Sequence, residues 1–370
     1  MSFPHGGNVY QIAHQLKCSP DDILDYSASI NPLGPPPGLW EELREGFPRV
    51  RHYPDISNRE LIEALSEHHG VPPDWIVVGN GSTELIYWLA RALKVESAII
   101  AVPTFSEYQR AFEGEGVKLH RLVSAERNLF QPDLHDLESC FAKVRPDALL
   151  LTHPGSPSGT LLAPEVRQWV LENCRSGGWT GIIDEAFMDF SEKDSLKSMI
   201  TESTPLILIR SMTKFYAIPG LRLGYLLASP GLASKVRRLI PPWSINAFAQ
   251  IAGVFCVRQE SYRAETMELV SRERDLLASG IARLGLGRSM PGVANYLLIR
   301  IDDGLPDAGE LQRHLLDRHR ILVRDCANFD GLNERFIRIA VRLPEENRRL
   351  LAALEDWVEE QGKTSHTRQR

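Results

Sequence analysis

Between Trp75 and Arg258 the chain repeats one pattern: a short apolar run, a turn, then an amphipathic stretch. Seven short runs are candidate strands, most of them rich in Ile, Leu and Val: Trp75–Val78, Ala98–Val102, Lys118–Leu122, Ala148–Thr152, Thr180–Asp184, Leu206–Arg210 and Leu223–Ala228. Six stretches carry helical spacing: Thr83–Leu93, Ser106–Glu115, Leu134–Val144, Pro164–Arg175, Gly231–Ile240 and Asn246–Arg258. Buried strands alternating with helices imply a mostly parallel sheet covered on both faces. The expected fold class is therefore α/β, with a seven-stranded, mostly parallel sheet. Ligands in such sheets sit beyond the carboxyl ends of the strands. Residues at those ends are the candidates for chemistry.

The segment Leu206–Tyr225 carries the most specific signal. Its apolar run ends in Ser211-Met212-Thr213-Lys214, and Arg222 follows beyond a Pro219-Gly220 loop. A lysine at a strand end, beside two hydroxyls and a guanidinium, suits an aldehyde cofactor that carries a phosphate. The amine condenses with the aldehyde, and the other groups hold the phosphate. Read alone, Lys214 is equally a solvated charge after a buried strand. At another strand end, Gly79-Asn80-Gly81-Ser82-Thr83-Glu84 permits a tight turn into a capped helix, whose free amides favour phosphate. It lacks the glycine-lysine pair of a P-loop and the full dinucleotide fingerprint. Phe105 and the run His153–Gly159 follow two further strands. Asp184 closes a strand behind Ile182-Ile183, where an unpaired carboxylate is costly to bury.

Beyond the alternating region lie a long helix Ser261–Leu284, a strand Tyr296–Ile301 and a helix Ala308–Arg318. Strands Ile321–Arg324 and Phe336–Val341 and a helix Pro344–Glu360 complete the chain. Without strict strand-helix-strand order, these read as a smaller α+β domain. The expected division is a large domain over 45–260, a small domain over 1–44 and 261–362, and a disordered polar tail over 363–370. Arg324 and Arg338 sit among residues that want burial. Either they line the exposed face of an edge strand or they aim at an acidic ligand. The opening His5-Gly6-Gly7-Asn8 is either a flexible terminus or a backbone that approaches a ligand closely. A short helix Val9–Leu16 follows, and Pro35-Pro36-Pro37 forms a stiff connector.

Net charge is −6, which disfavours nucleic acid as a partner. Five scattered cysteines without a CxxC pair read as free thiols, with no disulfide frame and no metal site. No apolar run is long enough to span a membrane, and the start lacks the blocks of a signal peptide. A cytoplasmic location is the expectation.

Taken together, these motifs resemble the fold-type I pyridoxal-phosphate (PLP) enzymes, and within them the histidinol-phosphate aminotransferase-like group. The form Ser-Met-Thr-Lys-Phe-Tyr-Ala-Ile-Pro-Gly-Leu-Arg and the opening His-Gly-Gly-Asn look closest to one branch, the threonine-phosphate decarboxylases of cobalamin synthesis. The resemblance implies a large PLP-binding domain and a smaller α+β domain. It implies that Lys214 holds PLP, that Asp184 supports the ring nitrogen and that Phe105 stacks on the ring. Gly81, Ser82, Thr83, Ser211, Thr213 and Arg222 would hold the cofactor phosphate. So would Tyr53 of the Arg51-His52-Tyr53-Pro54 element, reaching across a homodimer. His5, Gly6, Ser29, Ser156, Arg324 and Arg338 would meet the substrate. Three positions depart from the usual text. Ser29 and Ser156 stand where asparagines are expected, and Phe187 stands where aminotransferases carry tyrosine. The implied reaction is decarboxylation of O-phospho-L-threonine to (R)-1-aminopropan-2-yl phosphate. The alternatives are a phosphoserine decarboxylase, a histidinol-phosphate aminotransferase and a binding protein without turnover.

Overall fold

The computed structural model describes residues 5–367, with side chains described as far as residue 361. Its centre is a seven-stranded sheet. In spatial order the strands are Ile76–Gly79, Gly224–Ala228, Leu206–Ser211, Thr180–Asp184, Ala148–Thr152, Ser97–Val102 and Lys118–Val123. Gly224–Ala228 runs antiparallel to both of its neighbours, and every other pairing is parallel. All seven expected strands form, each within a residue at its ends.

Alternation along the strands explains why both faces are covered. Ile99, Leu149, Leu151, Ile183, Leu206 and Leu208 enter one core. Ala98, Ile100, Leu150, Ile182, Ile207 and Ile209 enter the other. Pairing register then fixes the site. Thr152 lies opposite Asp184, Asp184 opposite Ile209, Ser211 opposite Gly224, and Gly224 opposite Gly79. The carboxyl ends of four strands and the amino end of the antiparallel one therefore meet along one edge. Gly224 is required there, because a Cβ would lie 2.4 Å from the Ser82 amide.

A second, antiparallel sheet has the order Arg324–Asp325, Phe336–Ala340, Tyr296–Ile301 and Gly287–Ser289. The expected strand Ile321–Arg324 is divided. Ile321–Leu322 pairs in parallel with Leu24–Asp25, and Arg324–Asp325 pairs with Phe336–Ala340. The chain switches sheets here, and the ladder breaks at buried Val323. The last helix differs in length from the expected Pro344–Glu360. It runs Pro344–Thr367, past Glu360. Residues 368–370 of the expected tail lie outside the described residues.

A buried ion cluster lies behind the site edge. Arg210 is fully buried at the end of its strand. It donates to both carboxylate oxygens of Glu192, at 2.8 and 3.0 Å, and to Ser195. It also pairs with buried Glu185 at 3.0 Å and with Asp189 at 3.7 Å. Glu185 directly follows Asp184 in sequence, so this cluster braces the strand end that presents Asp184. Arg210→Met leaves three carboxylates without their shared cation. Loss of one buried partner costs about 3–5 kcal/mol. Urea denaturation should show that loss; a variant within about 1 kcal/mol of the parent would show that the cluster is stabilised by other groups.

Candidate active site

Along the carboxyl edge lies a cavity of about 320 Å³. Lys214 enters it from a four-residue helix, Met212–Phe215, that directly follows a buried strand. The amine donates to Ser211 Oγ at 2.9 Å, and Ser211 is hydrogen-bonded to Thr213 Oγ1 at 2.8 Å. The lysine backbone is clamped from the N-terminal region. The Asn31 amide donates to the Lys214 carbonyl at 2.9 Å. The Asn31 side chain donates to the Phe215 carbonyl, to Tyr262 and to Thr266. Burial pushes the Lys214 amine down to about 8, partly offset by Asp184, while Arg222 and Arg338 push it further down. More of the amine is then neutral and nucleophilic near pH 7 than for an ordinary lysine.

Asp184 is buried at the same edge and accepts from the Ala186 amide at 2.8 Å. Burial pushes its carboxyl up, against the opposing pull of that amide, of Lys214 and of the Tyr108 hydroxyl. A cationic ring nitrogen placed against this carboxylate would reverse the shift.

Ser82 and Thr83 begin the helix Ser82–Leu93 and line the cavity. Gly81 precedes them with φ +79°, and a Cβ there would lie 2.5 Å from Arg222 Nη2. The guanidinium is thus packed against the glycine turn, held by a bond to the Pro219 carbonyl at 3.1 Å. Phe105 forms another wall, with the His5 ring 5.4 Å from it.

The opposite wall comes from the second sheet and the arm. Arg324 and Arg338 are direct cross-strand partners, and both line the cavity. Arg324 donates to Asn328 Oδ1 at 2.7 Å. Arg338 stacks on the Tyr296 ring at 5.1 Å and reaches Ser156 Oγ at 3.5 Å and the Ser27 carbonyl at 3.2 Å. His5, Gly6, Ser29 and Ser156 complete this side. Ser29 Oγ and Arg338 Nε are buried and make no hydrogen bond among the described residues. Phe187 sits edge-on to Tyr296, with the Lys214 amine 5.8 Å from its ring centre.

One expected residue stands apart. Tyr53 is 79% exposed, stacks on Trp243 at 4.6 Å and lines a separate surface groove with Arg49 and Asn58. Two residues central to the site's geometry escaped sequence reasoning. Asn31 sits two positions after Ser29, and nothing local shows that it clamps the lysine. Glu107 reads only as a helix-start acid, yet it bonds His5, 102 positions away.

The donor set fits PLP: a depressed amine for the aldehyde, a buried carboxylate for the ring nitrogen, an aromatic wall, and helix amides with an arginine for the phosphate. These features on this sheet define a fold-type I PLP-dependent enzyme. The chain belongs to the aminotransferase class I and II family, which matches residues 21–354 and uses PLP. It is 40% identical to a threonine-phosphate decarboxylase of Salmonella typhimurium over 352 residues, covering 95% of each chain. It is 34% identical to an adenosylcobalamin biosynthesis bifunctional protein of Leptospira interrogans, covering 95% of this chain and 41% of that one. The crystal structure of histidinol-phosphate aminotransferase from Clostridium acetobutylicum superposes with a TM-score of 0.85 at 31% identity, covering 91% of this chain and all of that one.

In the cofactor-free chain, borohydride trapping of PLP on Lys214 should rise with pH through a midpoint of about 8. Asp184→Asn removes the charge that favours the ammonium form, so it should move that midpoint lower. Trapping followed by mass spectrometry reads both; an ordinary lysine midpoint of about 10.4 contradicts the burial argument.

Proposed function

We propose that this chain is a PLP-dependent carboxy-lyase acting on O-phospho-L-threonine, releasing CO2 and (R)-1-aminopropan-2-yl phosphate for cobalamin synthesis. The printed names of the Salmonella and Leptospira relatives support the reaction and the pathway. One structural observation carries the substrate class. Arg324 and Arg338 are direct cross-strand neighbours facing one cavity. Like charges directly opposite destabilise a sheet. An anion seated between them relieves that repulsion, and a phosphate ester of an amino acid brings two acid groups.

Bound in this site, PLP supplies an electron sink for charge left at the substrate α-carbon. The protein's share is orientation. Ser82, Thr83 and Arg222 hold the cofactor phosphate, and Asp184 holds the ring nitrogen. Ser211 accepts from the Lys214 amine and aims it, while Phe105 would pack against the bound cofactor. Arg324, Arg338 and His5 anchor the acid groups from the other wall. Ser29 offers an unused hydroxyl to the substrate, and Ser156 extends the Arg338 contact.

The same reading includes a homodimer. Trp40, Phe47, Val50, Tyr53, Ile56 and Trp243 are all exposed. Phe47 stacks on Phe248 and Tyr53 on Trp243, which gathers these side chains around the helix Ala247–Val257. A shared apolar face would cover them and carry Tyr53 towards a partner's cofactor phosphate. A cytoplasmic setting belongs to this reading, since all five thiols are unpaired. Among the described residues no helix is long and apolar enough to cross a membrane.

A panel of phosphothreonine, phosphoserine and histidinol phosphate, assayed for CO2 and for amine transfer to 2-oxoglutarate, tests the reaction. Phosphothreonine should release CO2 without a keto acid, and Arg338→Ala should raise its KM about 10–100-fold. CO2 from phosphoserine alone selects the phosphoserine reading, and amine transfer selects the aminotransferase. No turnover of any of the three returns the chain to a binding role.

Sedimentation of the PLP-loaded protein should give twice the 41.6 kDa of one chain. Tyr53→Phe should loosen PLP while leaving the dimer intact. Full activity from a monomer would overturn the role given to Tyr53.

A further inference from the structure

His5 lines the cavity from an arm that is tied down at two places. The first tie is on the second-sheet side. The Gly7 amide donates to Ser27 Oγ at 2.9 Å, and Ser27 Oγ in turn donates to Asp25 at 2.6 Å. Gly6 lies so close that a Cβ would stand 2.2 Å from the Ser27 carbonyl. The second tie is on the large sheet's side of the cavity. His5 Nε2 lies 3.0 Å from Glu107 Oε1, on the helix Ser106–Gly114. The arm therefore crosses the cavity like a strap.

Glu107 is built to be an anchor rather than a ligand. Its side chain is 9% exposed, whereas that of His5 is 40% exposed. Tyr87 donates to Glu107 Oε2 at 2.8 Å and Arg110 donates to Oε1 at 3.0 Å. Burial would push this carboxyl up, yet the hydrogen bonds from Tyr87, Arg110 and His5 hold it below its ordinary value. Tyr87 and Arg110 fix both carboxylate oxygens independently of His5. Glu107 is absent from the cavity lining, while Phe105, two residues earlier, is part of it. The His5 ring is held between that aromatic and the carboxylate.

We propose that Glu107 is a positioning residue that latches the N-terminal arm across the cavity mouth and fixes the His5 imidazole for the substrate's acid groups. It acts through His5 and touches neither substrate nor cofactor. The role of His5 rests on the decarboxylase reading; the latch itself does not.

The test uses PLP-loaded protein and four variants: Glu107→Ala, Glu107→Gln, His5→Ala and the double variant that combines His5→Ala with Glu107→Ala. Hydrogen exchange at the Gly7 amide reads the latch without turnover. Glu107→Ala should speed that exchange at least about tenfold, and Glu107→Gln, which can still accept from His5, should restore most of the protection. His5→Ala removes only the half-exposed partner, so it keeps the test alive if Glu107→Ala folds poorly; it should also loosen the arm. In kinetics with phosphothreonine, each alanine variant should raise KM about tenfold with a smaller change in kcat. The double variant should be no worse than the poorer single, because the two act as one unit. Arm exchange unchanged in both alanine variants, or kinetic losses that add in the double variant, overturns the proposal. Faster arm exchange in a protein that turns over none of the phosphorylated amino acids upholds the latch and sinks the functional reading instead.

Discussion

The site depends on one electrostatic arrangement: an amine and a carboxylate buried at the same edge of a sheet, each shifted against its charged form. Burial lowers Lys214 and raises Asp184. Two groups so placed gain little from each other as a simple ion pair, because desolvation opposes the Coulombic attraction. They gain from a group inserted between them that offers an aldehyde to one and a cationic nitrogen to the other. The pair is held apart by register, since Asp184 ends its strand opposite Ile209, five residues before the lysine. Neither side chain chooses its place; the strand ladder does.

Support for that ladder comes from behind. Arg210 precedes Ser211 in the strand that leads to the lysine, and Glu185 follows Asp184 in the next strand. Their 3.0 Å ion pair ties the two strand ends together under the cavity. Asn31 ties the lysine helix from the opposite direction through Phe215, Tyr262 and Thr266. The Lys214 segment is thereby clamped by two polar networks that contribute nothing to the cavity wall. Such over-determination suits a reacting amine, because a displacement of about 1 Å costs roughly 100-fold in rate.

Sequence alone made the sheet legible because a strand buried on both faces leaves a local mark: four to six apolar residues between turns. The lysine segment was legible for a different reason, since its chemistry is packed into twelve consecutive residues. Elements whose partners are distant left no such mark. Leu24–Asp25 and Gly287–Ser289 are too short to show alternation, and they exist only because Ile321–Leu322 and Tyr296–Ile301 stand beside them. Asn31 and Glu107 failed to stand out because a buried amide or carboxylate looks ordinary until its partner is known. Arg338 was open between an edge position and a ligand. The fold settles its placement: its strand is flanked on both sides.

On the proposed reaction, the arginines face a constraint that a transaminase does not. CO2 departs without charge, so a guanidinium gripping the substrate carboxylate would stabilise the ground state more than the transition state. A phosphate keeps its charge throughout and can be held tightly at no such cost. Two adjacent guanidiniums therefore suit the phosphate, which leaves the carboxylate to neutral donors such as Ser29. The bond that breaks must stand perpendicular to the cofactor ring to overlap its electron system. Holding the phosphate on the Arg324–Arg338 wall fixes one substituent of the α-carbon and restricts where the carboxylate can point. A smaller hydroxyl at positions 29 and 156 leaves room for that rotation, whereas an amide would offer the carboxylate a firmer grip. The same sheet edge and the same lysine thus serve either reaction, and the acid-binding wall decides which bond is presented.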